Sequence, residues 1–90
     1  MKQHRKWIKK KDCKLTPKEL ANELGNLRYD ELSKFLRLLS SKIEVDSIKD
    51  FDRGRDKLGN SLDLASINLE TASERIDFAW EICEPYMDVE

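Results

Sequence analysis

Apolar residues return along this chain at the three- and four-residue steps of helices, in three blocks. The first block opens with Leu15-Thr16-Pro17-Lys18-Glu19-Leu20. Thr16 stands at the N-cap, Pro17 takes the first helical position where its missing N–H costs nothing, and Glu19 completes a capping box. Leu15 and Leu20 are spaced to close a hydrophobic staple around that start. Leu20, Ala21 and Leu24 share a face up to Gly25, a natural C′ residue, so a first helix of about two turns is predicted over 17–24.

In the second block Leu32, Phe35, Leu36, Leu39 and Ile43 form one stripe, opposite Asp30, Glu31, Lys34, Arg37 and Lys42. This predicts an amphipathic helix over about 28–43, with Asp30 and Lys34 spaced as an i,i+4 pair.

The third block carries the longest pattern. Ile48, Arg55, Leu62, Leu69, Ile76 and Cys83 fall seven apart, and Phe51, Leu58, Ala65, Ala72 and Ala79 repeat at the same interval between them. Such an a/d heptad predicts one long helix over about 47–83, capped by Asp46 or Ser47 and ended by Pro85. Gly54 and Gly59 lie inside it, and Gly59-Asn60-Ser61 could be a break, but the unbroken phase favours continuity. Leu64, Ile67, Phe78 and Ile82 add a second stripe, with Trp80 beside the seam, which predicts burial between neighbours. Ala65, Ala72 and Ala79 point to close helix–helix approach. Arg55 occupies a seam position, where it either snorkels outward to pair with Asp52 or sets register against an acid of a partner helix.

Length turns this pattern into an expectation about assembly. A helix over 47–83 would be about 55 Å long, against about 24 Å and 12 Å for the other two. Those two cannot cover the seam even end to end, so a second copy is expected along it, giving a homodimer. The expected fold is all-α: two short N-terminal helices packed on a long heptad-patterned helix, the bundle being completed by oligomerisation.

Composition agrees with this class. The chain has 90 residues, 39% of them charged, with three glycines and two prolines, and a mean hydropathy of −0.71. That is polar enough for a disordered chain, but the regular apolar spacing argues for a single folded domain. Charge is unevenly placed: residues 1–18 hold eight basic residues against Asp12, and the remainder holds nine basic against seventeen acidic. The expected organisation is a basic flexible arm over 1–14, a helical domain over 15–85 and an acidic tail over 86–90. Cys13 and Cys83 have no metal-ligand spacing and no mark of export, and neither a signal-peptide core nor a run of about 20 apolar residues occurs. A cytoplasmic location is expected.

Candidate chemistry is sparse. His4 is the single histidine, and no glycine-rich phosphate loop is present. Asp46, Asp50, Asp52, Asp56 and Asp63 alternate with Lys49, Arg53, Arg55 and Lys57, the pattern of a salt-bridged solvated face rather than a metal cluster. No catalytic, cofactor-binding or metal-ligating residue is assigned. Residues Pro17 to Leu36 resemble a helix-turn-helix unit, with Leu20, Ala21 and Leu24 on the first helix, Gly25 in the turn, and Leu27, Leu32 and Phe35 on the second. The later apolar residues stand one position further along than in that family's pattern, so the turn is a residue longer. The resemblance implies nucleic-acid contact through Arg28, Lys34 and Arg37, to which the arm would add Lys6, Trp7, Lys9, Lys10 and Lys11.

Two functions are therefore expected as alternatives. One is a non-enzymatic helical interaction or regulatory protein, self-associating through Ile48, Phe51, Arg55, Leu58, Leu62, Ala65, Leu69, Ala72, Ile76, Ala79 and Cys83 and binding a protein partner. The other is a small dimeric nucleic-acid-binding regulator using the basic arm and the helix-turn-helix-like unit.

Overall fold

The computed structural model describes residues 15–87. The basic arm, with His4, Trp7 and Cys13, and the last three residues of the acidic tail lie outside the described residues. Three α-helices follow one another, α1 over Pro17–Gly25, α2 over Tyr29–Asp52 and α3 over Asp56–Cys83, and a short 3-10 turn at Glu84–Tyr86 ends the fold. The all-α class holds, with different divisions along the chain.

The first helix starts as its sequence indicates. The Glu19 amide donates to Thr16 Oγ1 at 3.2 Å, and the Thr16 amide donates to the Glu19 carboxylate at 3.2 Å. Gly25 is the last helical residue rather than a left-handed C′ residue, because Asn26 closes the helix in right-handed conformation with φ −88°. No residue of α1 is buried.

The second helix begins at Tyr29 and does not stop near residue 43. Nothing between Glu44 and Ser47 breaks a helix: Lys42 pairs with Asp46 one turn on, and Ser47, read as a cap, lies inside α2 and is buried. Asp30 pairs with Arg28 rather than with Lys34. Its carboxylate also accepts from the Glu31 amide at 2.9 Å, a favourable place for an anion in a first helical turn.

The break falls instead at Arg53-Gly54-Arg55, so the expected long helix over 47–83 is two antiparallel helices. Gly54 adopts φ +76°, a conformation that costs side-chain-bearing residues strain. The Gly54 amide donates to the Phe51 carbonyl at 3.0 Å and the Arg55 amide to the Asp50 carbonyl at 2.8 Å. Together these bonds make a Schellman motif. The contact series shifts phase here, Ser47 and Gly59 being twelve residues apart, but Ile48 and Phe51 coincide in spacing with the α3 stripe, which is why the pattern reads as continuous. Gly59-Asn60 does not interrupt α3.

α2 and α3 form the one extensive packing between helices among the described residues, and α1 makes no comparable contact with either. Their seam is built from small residues at seven-residue intervals. Ser33, Ser40 and Ser47 on α2 meet Ser73, Ser66 and Gly59 on α3, and all six are buried. Ser33 Oγ donates to the Ser73 carbonyl at 3.0 Å, Ser40 Oγ to the Ser66 carbonyl at 2.8 Å, and Ser47 Oγ to the Gly59 carbonyl at 2.7 Å. Side-chain hydroxyls that reach backbone carbonyls of the facing helix require the two backbones to lie close. Larger residues at these positions would hold them apart.

Candidate interaction face

A seam of serines and glycine leaves the large apolar residues with nowhere to go inside one chain, and no apolar side chain among the described residues is buried. Helical geometry decides where they collect. In an antiparallel pair, positions three and six beyond each seam residue fall on one side of the hairpin, and positions four beyond fall on the other. On α2 the first side takes Leu32, Leu36, Leu39 and Ile43, followed toward the turn by Asp46 and Asp50. On α3 it takes Leu58, Leu62, Ala65, Leu69, Ala72, Ile76, Ala79 and Cys83.

The second side is polar, with Arg37 and Glu44 on α2 facing Asp63, Glu70 and Asp77 on α3. An ion pair between Arg37 and Asp77 spans it. Ser33 Oγ, which donates to the Ser73 carbonyl, is also within reach of the Asp77 carboxylate. The hydroxyl, followed by the Arg37 guanidinium, holds Asp77 below the usual carboxylate range. One side of the hairpin is thus predominantly apolar across both helices, whereas the other mixes these charges with exposed apolar residues, Ile48 and Phe51 on α2 and Ile67 on α3.

The expected seam maps onto this face in part. Its eight members from Leu58 to Cys83 form one stripe along α3, beside the serine–glycine contact rather than on it. Ile48 and Phe51 belong to α2 and lie off that stripe. Phe51 instead lays its ring over Gly59, where an added Cβ would meet ring carbons at 2.9 Å. Arg55 sits in the turn as N-cap of α3 and pairs with Asp50 at 3.3 Å, not with Asp52. It therefore occupies no position in a helical seam.

The second stripe predicted to be buried between neighbours is not buried within the chain. Leu64, Ile67, Phe78 and Ile82 are all exposed, as is Leu38 at 65% on the outer side of α2. Trp80 continues the seam series one heptad beyond Ser73, past the start of α2, where a bulky residue no longer separates the helices. The Arg28 guanidinium lies 5.1 Å from the centre of its ring. These two residues line an open cleft of about 380 Å³ with Leu27, Tyr29, Cys83 and Met87.

The residues considered for nucleic acid are not gathered into a basic surface among the described residues. Lys6, Trp7, Lys9, Lys10 and Lys11 lie outside them. Arg28 makes two hydrogen bonds to Asp30, at 2.9 and 2.7 Å. This pairing raises the Arg28 pKa and lowers that of Asp30. Arg37 is engaged by Asp77, and Lys34 is exposed on α2. In a helix-turn-helix unit the first helix packs on the second, and α1 forms no such packing with α2. Among the described residues no group of His, Cys, Asp or Glu side chains is arranged to hold a metal ion. No helix there is long and apolar enough to cross a membrane.

The serine–glycine seam was not recognised from sequence, although its signal is present: Ser33, Ser40 and Ser47 repeat at seven, as do Gly59, Ser66 and Ser73, on either side of Gly54. No family model matches this chain, and no curated protein or solved structure is detectably similar to it.

Proposed function

We propose that this chain is a non-enzymatic helical interaction protein that self-associates through the apolar face of its α2–α3 hairpin. One observation carries the reading: a hairpin with no buried apolar side chain presents leucines and isoleucines from both helices on one side. Apolar surface of this extent on a soluble chain marks a protein-binding face. Two such faces laid together form a four-helix bundle with a conventional leucine core. The opposite side, with Asp63, Glu70 and Asp77 at heptad intervals and the exposed Ile48, Phe51 and Ile67 among them, then remains outside, available to a protein partner.

Sedimentation equilibrium on the full chain and two variants tests this reading. The unsubstituted protein and Leu38→Glu, on the outer side of α2, are expected to sediment above the chain mass of 10.6 kDa. Leu69→Glu, in the middle of the face, is expected to sediment as a single chain. A monomeric unsubstituted protein, or a Leu69→Glu variant that still associates, would refute the reading.

A further inference from the structure

The apolar face is lopsided, and its two halves fit each other. At the positions aimed most nearly away from the hairpin, α2 carries Leu32 and Leu39, a ridge that gives way to the Lys42-paired Asp46 toward the turn, whereas α3 carries Ala65, Ala72 and Ala79, a furrow. We propose, building on the self-association reading above, that a second copy docks about a twofold axis parallel to the helices. Its turn then lies at the same end, and α2 of each chain seats in the alanine furrow of the other chain's α3.

Symmetry fixes the register of this arrangement. A rotation about an axis parallel to the helices preserves height, so levels across the interface follow those within the hairpin, where Ser33 is level with Ser73 and Ser40 with Ser66. Leu39 then stands between the heights of Ala65 and Ala72 of the second copy, and Leu32 between Ala72 and Ala79. Ridge residues meet gaps, the condition for close packing of helices. The other twofold, perpendicular to the helices, would set leucine against leucine and alanine against alanine. One bundle would then need a wide and a narrow interface side by side.

The area is sufficient. Twenty-four residues of α2 span about 36 Å, and two adjacent helices are about 20 Å wide, giving roughly 700 Å² per copy. The total of about 1,400 Å² falls within the range of stable interfaces. Residues 42–57, which would meet their copies at the turn end, carry five basic and five acidic side chains, so their approach adds no net repulsion. At the open end residues 15–31 and 74–87 carry eight acidic side chains against three basic.

A nitroxide at Arg53→Cys, in full-length protein with Cys13→Ser and Cys83→Ser, reads the arrangement by electron–electron dipolar spectroscopy. Arg53 is exposed in the turn, so labelling leaves the packing intact. Turns at the same end predict a distance below about 30 Å, two helix diameters plus the labels, whereas opposite ends predict about 36 Å or more. The longer distance would overturn the arrangement while leaving self-association standing. Absence of dipolar coupling, with a single-chain mass, would overturn both. Volume exchange gives a second reading: Ala72→Leu is expected to weaken dimerisation at least tenfold, and adding Leu39→Ala to recover most of it. A double variant no better than the single would count against the ridge-and-furrow contact.

Discussion

At Ser40 the hydroxyl donates to the Ser66 carbonyl and lies 3.2 Å from Ser66 Oγ, inside a contact closed to water. Ser40→Ala keeps the size and forfeits the bond, so thermal unfolding should show a loss of about 1 kcal/mol. Ser40→Leu makes the seam more apolar and yet should cost more, about 1–3 kcal/mol, by forcing the helices apart. Gly59→Ala belongs with it, since its new methyl would collide with the Phe51 ring. Asp77 gives a pH signature. Its pKa is lowered in the folded chain by the Ser33 hydroxyl and Arg37, so its contribution is present above the usual carboxylate pKa and is lost as pH falls toward the depressed value. Asp77→Asn is expected to flatten that acid limb in a pH series of denaturation midpoints. An unchanged limb would remove Asp77 from the explanation.

At the scale of elements, the turn and the caps divide the labour. Gly54→Ala places a side chain at φ +76° and should destabilise the hairpin by about 1 kcal/mol, measured by denaturant unfolding. Thr16→Ala removes a capping box worth about 1 kcal/mol to α1. Because α1 packs on neither long helix, amide exchange should quicken in α1 alone while α2 and α3 keep their protection. The start of α1 was legible from sequence because a capping box is a local pattern with local consequences. The division between the long helices was not, because Ile48 and Phe51, on α2, happen to stand at seven-residue intervals from residues of the α3 stripe. Ile48 and Phe51 thus read as one stripe with Leu58 and Leu62, although they stand on opposite arms of a hairpin. Only the glycine's conformation distinguishes the two, and an isolated glycine within a heptad is ambiguous between a close contact, as at Gly59, and a turn, as at Gly54.

Across the whole molecule the heptad of large residues from Leu58 to Cys83 is one stripe along α3 and not the contact between helices inside the chain. Size misled: leucines and isoleucines draw the eye to a seam, whereas the seam within the chain is made of serines, whose hydroxyls can bond a backbone that leucine would keep away. Leu62, Leu69 and Ile76, with Leu36 and Ile43, are left only partly buried. Small domains stand close to the limit of stability even with a full core, and this hairpin has none of its own. On the proposed self-association, burial of the apolar face supplies the missing hydrophobic term, and folding should be coupled to association.

That coupling is measured most directly by the dependence of unfolding on protein concentration, followed by helical circular dichroism in denaturant. For a dimer that unfolds as it dissociates, a hundredfold rise in concentration adds roughly 2.7 kcal/mol by mass action, and the midpoint should move upward accordingly. A midpoint that stays fixed over that range, in a protein sedimenting at the mass of one chain, would contradict it.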